Sequence, residues 1–310
     1  MISIVWIVIG AAMLIKGADL LVDGGSGIAL KSGVSHLVVG LTVVAFGTSA
    51  PELAASLVAS FKGSGDICYG NIVGSNVANI ALILGVTALI RPVDVNKLLV
   101  RWELPFMIAI TALTWYIGHL GGVGRPIGFG LLVLFGVYIV HCMKSPPVPI
   151  DVEDEQAKKR YAVLITMVVF GVAGLGIGGM LFVKGARDIA AMLGVSEAII
   201  ALTVVALGTS LPELLTSAVA AYKGHADLSL GNIVGSNIFN ILLVIGATGA
   251  IKPYVISPDR FLIFVGLPSM MALAVLLLPF SISGKRISRM EGAFFTVVYV
   301  VYCTVAVVMS

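Results

Sequence analysis

Glu52 and Glu213 offer the most chemistry in this chain, because each interrupts a run of apolar residues. Each closes the same pattern, Gly-Thr-Ser-x-Pro-Glu, at 47–52 and at 208–213. A charge at the centre of a bilayer costs about 2.5–3.5 kcal/mol on insertion scales and marks a functional site by default. The neighbouring prolines free further oxygen donors. Pro51 has no N–H, so the carbonyl of Gly47 loses its helical partner, and Pro212 does the same to Gly208. Freed carbonyls in a bilayer are costly unless something satisfies them, and a cation can. Two carboxylates supply up to four oxygens, with carbonyls and hydroxyls at Thr48, Ser49, Thr209 and Ser210 nearby. Calcium takes about 6–8 oxygen ligands in a flexible cage. No His or Cys joins either motif, which argues against zinc or copper. Ser49-x-x-Glu52 and Ser210-x-x-Glu213 also have capping-box spacing. A cap and an ion site are compatible, since a cap can fix the glutamate rotamer.

A second motif, Gly-Asn-Ile-Val-Gly-Ser-Asn-x-x-Asn, starts at Gly70 and again at Gly231. Asn71, Ser75 and Asn79 fall at i, i+4 and i+8 on one helical face, and Asn232, Ser236 and Asn240 repeat the stripe. Such a stripe can present neutral oxygens to the same cation, or it can knit helices together by hydrogen bonds. Gly70 with Gly74, and Gly231 with Gly235, have the spacing that lets helices approach closely.

The elements that must position these residues are membrane spans. Of 310 residues, 59% are apolar and only 11% are Asp, Glu, Lys or Arg. Soluble domains carry about 25% charged residues, so a soluble enzyme is excluded. Apolar runs of about 20 residues match a hydrocarbon core of about 30 Å. Hydropathy places ten spans, at 3–22, 36–60, 70–90, 103–120, 127–143, 161–182, 196–221, 231–251, 260–280 and 291–309. No Lys or Arg precedes the first apolar run, so it reads as a retained span rather than a cleaved signal.

The two motif pairs recur at one constant offset of 161 residues, with LTVVAFGTSAPEL at 41–53 matching LTVVALGTSLPEL at 202–214. A repeat fixes architecture before any other feature. Each copy holds five spans, an odd number, so the second copy enters the membrane from the opposite side. The expected fold is an all-α membrane protein of ten transmembrane helices, arranged as two inverted five-helix repeats, 1–143 and 161–310. The proline- and charge-rich stretch 144–160 joins them as a linker. Secondary transporters are built this way, with binding at the repeat interface near the midplane. Loops after odd spans hold 12 Lys and Arg, against 6 after even spans. That bias puts the linker in the cytoplasm and both termini outside.

Other candidates carry less. Gly174-x-Gly176-x-x-Gly179 matches a dinucleotide fingerprint only formally, since no strand precedes it; the glycines instead let one helix slide on its neighbours. Lys16, Asp19 and Asp23 at the end of the first span read as snorkelling side chains. His36, His119, His141 and His225 fall near span ends and read as solvated. The acidic cluster at 151–155 lacks the glycine and spacing of a calcium loop. The three cysteines, Cys68, Cys142 and Cys303, are too widely spaced for a disulfide framework or a zinc site. The net charge of +3 lies in loops, so the expected partners are the lipid bilayer and small cations, with no nucleic acid.

GTSAPE with GNIVGSNVAN, and GTSLPE with GNIVGSNIFN, resemble the paired alpha-repeats of the calcium/cation antiporters, specifically the prokaryotic sodium/calcium exchangers. The resemblance implies a diamond of cation sites held by spans 2, 3, 7 and 8. It implies ligands from the carbonyls of Ala45 and Thr48 and the side chains of Ser49, Glu52, Ser75 and Asn79. In the second copy it implies Ala206, Thr209, Ser210, Glu213, Ser236 and Asn240. It also implies that spans 1 and 6 move as a gating pair, and that several Na⁺ exchange for one Ca²⁺. Some relatives carry an acid where this chain has Asn240; asparagine there favours, by analogy, independence from K⁺. The linker is far too short for the large regulatory domain of animal relatives.

The expected activity is therefore Na⁺/Ca²⁺ antiport by alternating access, with the cations competing directly for the two glutamates. No cofactor is expected, since Ca²⁺ and Na⁺ are themselves the cargo. Protons compete for dehydrated carboxylates, so transport should fall in acid. A Ca²⁺/H⁺ antiporter of the same fold is the nearest rival, and a cation channel the next. An intramembrane enzyme lacks any nucleophile–base pair.

Overall fold

The computed structural model describes residues 2–144, 155–193, 206–257 and 260–309. Helix dominates: α1 (Ile2–Ser32), α2 (His36–Thr48), α3 (Ala50–Phe61), α4 (Gly65–Ile90), α5 (Leu104–His119), α6 (Arg125–Met143), α7 (Tyr161–Met192), α8 (Ala206–Thr209), α9 (Leu211–Tyr222), α10 (Ala226–Ile251), α11 (Leu262–Ser283) and α12 (Arg289–Met309). Seven of these are long and apolar enough to cross a membrane, or eight if the bent pair α2–α3 is one span. The chain is a multi-pass membrane protein. Most of the linker, and residues 196–205 of the expected seventh span, fall outside the described residues.

The break predicted at Gly47–Pro51 is present. Helices α2 and α3 meet there at 44°. Ser49 takes up φ −83°, ψ 1° between them, and Pro51 lies in the first turn of α3. Ser210 and Pro212 do the same at the start of α9. Further loosening comes from π-helical turns at Gly40–Val44, Asn79–Leu84 and Asn240–Ile245. Wide turns of this kind gather at functional sites.

Helices α4 and α10 form the core and are mostly buried. Around them, α1, α6, α7 and α12 turn large apolar side chains outward, such as Val8, Phe129, Phe170 and Val297. These fit a hydrocarbon solvent. Helix α10 crosses α2 at glycine: a Cβ on Gly231 would lie 2.6 Å from the Leu37 carbonyl, and one on Gly40 2.5 Å from that of Leu228. The close approach expected of Gly231 and Gly235 is thus present. Gly70 and Gly74 meet none of the described residues.

Helices α1 and α7 pack along most of their lengths. A Cβ on Gly17 would meet the Leu175 nitrogen at 2.8 Å and the Gly171 oxygen at 2.9 Å. A Cβ on Gly178 would meet the Leu14 nitrogen and the Gly10 oxygen, both at 2.9 Å. Shifting each residue of one contact by 161 positions generates the other.

Three expectations need correcting. Both α1 and α7 run about ten residues past the predicted spans, because a helix ends where its hydrogen bonds end, not where hydropathy falls. Asp19 and Asp23 are not merely solvated ends; both bind Lys223, just beyond α9, with 2.6 Å from Lys223 to Asp23. Lys16 pairs with Asp19 at 2.8 Å. Among the histidines, His119 and His141 are exposed, but His36 and His225 are half-buried with ring centroids 5.0 Å apart. His36 also lies 2.8 Å from the Ser26 hydroxyl.

Four two-residue strands are an addition that hydropathy does not foresee. β1 (Val93–Asp94) pairs with β4 (Arg286–Ile287), and β2 (Gly122–Val123) with β3 (Tyr254–Val255). They clip the loop after α4 to the loop before α12, and the loop after α10 to the loop before α6.

The α1–α7 contact gives a direct test. Gly17→Ala places a methyl against backbone that must move, so it lowers stability by about 1–3 kcal/mol. Gly136→Ala, on the exposed side of α6, meets nothing and raises helix propensity. Thermal unfolding in detergent should show a lower midpoint for the first and an unchanged or higher one for the second. Equal midpoints would mean that α1 and α7 do not touch as described.

Candidate cation site

The two breaks face each other. Glu52 lies in the first turn of α3 and Glu213 in the first turn of α9, and each is 1% exposed. The Ser49 hydroxyl, at the first break, donates to Glu213 Oε1 at 3.3 Å. Neither Ser49 nor Ser210 caps its own helix, so the capping-box spacing is not used as a cap. Thr48 lies beside Glu213, and Thr209 beside Glu52. The two carboxylates are close enough to repel each other.

The second motif closes the site from the sides. The turn that begins at Asn79 packs against α9, and the turn that begins at Asn240 packs against α3. Ser75, Asn79, Ser236 and Asn240 are all buried. The Thr48 hydroxyl donates to Asn232 Oδ1 at 3.0 Å, and Ser236 Oγ lies 3.3 Å from it. The Ala45 carbonyl accepts from the Ser49 N–H at 2.9 Å, and the Thr48 hydroxyl also lies within 3.4 Å of it. Ala206 begins α8, the short helix that carries Thr209.

Seven side-chain oxygens here are buried and lack a hydrogen-bond partner among the described residues. They are both oxygens of Glu52, Oε2 of Glu213, the hydroxyls of Ser75 and Ser210, and the amide oxygens of Asn79 and Asn240. A buried polar group left unsatisfied costs about 1–3 kcal/mol. Seven such oxygens, two of them on one carboxylate, make a cage suited to a hard cation. Among the described residues, no group of three or more His, Cys, Asp or Glu could hold a metal.

The Asn/Ser stripe divides. Its first members tie helices: Asn71 donates to Ser56 Oγ at 3.1 Å, and Asn232 to Ser217 Oγ at 3.0 Å. Its last members, Asn79 and Asn240, keep free oxygens. Sequence reasoning passed over Asn76 and Asn237, which bridge the two copies. Asn240 donates to Asn76 Oδ1 at 3.0 Å, and Asn79 to Asn237 Oδ1 at 3.3 Å. Their recurrence at the 161-residue offset was a usable signal, but both lie off the i, i+4, i+8 face.

Comparison with known proteins gives the family. The family described as "Sodium/calcium exchanger protein" matches residues 2–144 and 163–308. The chain is 38% identical to the putative antiporter CaxA of Alkalimonas amylolytica, over 97% of this chain and 98% of that protein. It is 31% identical to the sodium/calcium exchanger MaX1 of Methanosarcina acetivorans, over 96% and 97%. Among solved structures, the sodium-calcium exchanger NCX_Mj soaked with zero Na⁺ and Ca²⁺ superposes with a TM-score of 0.86 at 30% identity, covering 98% of this chain and 99% of that one. The chain belongs to the sodium/calcium exchanger family.

The unsatisfied oxygens predict a trade of stability for chemistry. In chelator-treated, cation-depleted buffer, Glu52→Gln keeps the shape and removes the buried charge. Its unfolding midpoint should exceed that of the parent, by an amount equivalent to about 1–3 kcal/mol. A midpoint at or below the parent value would mean that Glu52 is not an uncompensated group.

Proposed function

We propose that the chain is a secondary active antiporter that exchanges Na⁺ for Ca²⁺ by alternating access, with both ions competing for the Glu52–Glu213 pair. The observation that carries this reading is the set of seven unpartnered buried oxygens assembled from both copies of the motif. In this reading the ligands are the carbonyls of Ala45, Thr48, Ala206 and Thr209, with the side chains of Ser49, Glu52, Ser75, Asn79, Ser210, Glu213, Ser236 and Asn240. The two carboxylates balance one Ca²⁺. Na⁺ ions occupy partly overlapping positions on the same oxygens. The doubly negative site without cargo switches poorly, because its charges have no compensation in a dehydrated setting.

The architecture we propose is two inverted repeats of five spans, 1–143 and 161–310, joined by a cytoplasmic linker at 144–160, with both termini outside. The mutual contacts of Gly17 and Gly178 support it, since a 161-residue shift exchanges them. The paired bonds Asn79–Asn237 and Asn240–Asn76 are exchanged by the same shift. Helices α1 and α7 are the moving pair. Their shared glycine surface brings the two backbones into contact, which suits movement as one unit.

Reconstituted vesicles test the function. An outward Na⁺ gradient should drive Ca²⁺ uptake, K⁺ should not be required, and net charge should move. Uptake should fall as the pH is lowered, because protonated glutamates give up the charge that holds Ca²⁺. Glu52→Gln and Glu213→Gln should each reduce uptake at least tenfold. Undiminished uptake in either variant removes that residue from the site. Uptake driven by a pH gradient without Na⁺ would favour Ca²⁺/H⁺ antiport, and Ca²⁺ flux with no counter-ion coupling would favour a channel.

A further inference from the structure

The amide groups of Asn79 and Asn240 have two ends, and only the oxygen suits a cation. What holds each amide the right way round follows from a chain of hydrogen bonds. Asn76 Nδ2 donates to the backbone carbonyl of Asn237 at 3.3 Å. A carbonyl can only accept, so turning the Asn76 amide over would set two acceptors against each other. Asn76 must therefore keep its nitrogen on Asn237 and offer its oxygen to Asn240. Asn240 answers with its nitrogen, at 3.0 Å, which leaves Asn240 Oδ1 unpartnered and buried.

The second copy reaches the same result from a different anchor. Asn237 Nδ2 donates to the Met107 sulfur at 3.7 Å, and a thioether also only accepts. Asn237 Oδ1 is thereby left to receive the Asn79 nitrogen at 3.3 Å, and Asn79 Oδ1 is the free, buried end. The anchors differ because α5 places Met107 in the core, 1% exposed, whereas the residue 161 positions on is Pro268. The four asparagines are each 2% exposed or less, so water does not compete for these bonds.

We propose that Asn76 and Asn237 are positioning residues that fix the amides of Asn240 and Asn79 with their oxygens towards the transported cation. The inference rests on the reading of Asn79 and Asn240 as ligands. Without its anchor, either amide can rotate and present an NH₂ group, which repels a cation. An aspartate in place of Asn240 needs no such guidance, because both ends of a carboxylate are oxygens.

That difference supplies the experiment. Ca²⁺ affinity is measured by titration calorimetry on the purified full-length protein, with thermal unfolding as a check on folding. Asn76→Leu should weaken Ca²⁺ binding about 10–100-fold, the range for losing a partner that orients a metal ligand. In the Asn240→Asp background the same Asn76→Leu change should cost less than about threefold. An equal loss in both backgrounds would show a merely structural role, and no loss in either would end the proposal. The cycle of Asn237→Leu with Asn79→Asp asks the same question of the second copy, and decides it if Asn76→Leu does not fold. Asn240→Leu separates the two levels. If it leaves Ca²⁺ affinity intact, Asn240 is no ligand and the site reading fails; if it weakens binding while Asn76→Leu does not, only the orienting role fails.

Discussion

Two carboxylates held together away from water are the constraint on which the rest of the protein depends. Glu52 and Glu213 are each 1% exposed and close enough to repel, and no lysine or arginine among the described residues is paired with either. In the function proposed above, a cation offsets that pair. The helix breaks and the Asn and Ser donors then serve to surround it with oxygen. The same need explains why the site is costly to the fold when viewed as packing alone.

The proposed two-fold relation would make the two halves of an alternating-access cycle nearly equal in energy. The charges outside the site break that equality. Asp19 and Asp23 of α1 hold Lys223 at the end of α9. The positions 161 residues away carry Met180, Lys184 and Lys62, which have no such attraction. Helix α1 is therefore tied by charge to the end of α9, and among the described residues no matching ion pair links α7 to the end of α3. The anchors of the central amides differ likewise, a backbone carbonyl on one side and Met107 on the other.

Much of this is legible in the residues themselves. The glutamates, the proline breaks and the motif repeat are rare events in an apolar chain, and together they single out the two buried acids. Hydropathy located the apolar runs but not the helix ends, since α1 and α7 continue past the bilayer-length segment on contacts that depend on distant partners. The short strands and the Lys223 cluster join residues about 130–200 positions apart, so no local pattern announces them. Asn76 and Asn237 lay within the recognised motif, but helical periodicity turned attention to the neighbouring face. Which asparagine binds helix and which keeps a free oxygen is decided by partners on other helices, such as Ser56 and Ser217.

The most direct test of the central claim is anomalous diffraction from crystals grown with Ca²⁺ and soaked with the heavier divalent Sr²⁺. The account predicts one strong divalent peak bridging Glu52 and Glu213, at about 2.3–2.6 Å from carboxylate oxygens of both for Ca²⁺ and slightly longer for Sr²⁺. A fully occupied peak elsewhere in the membrane interior, with the glutamate pair bare, would contradict it.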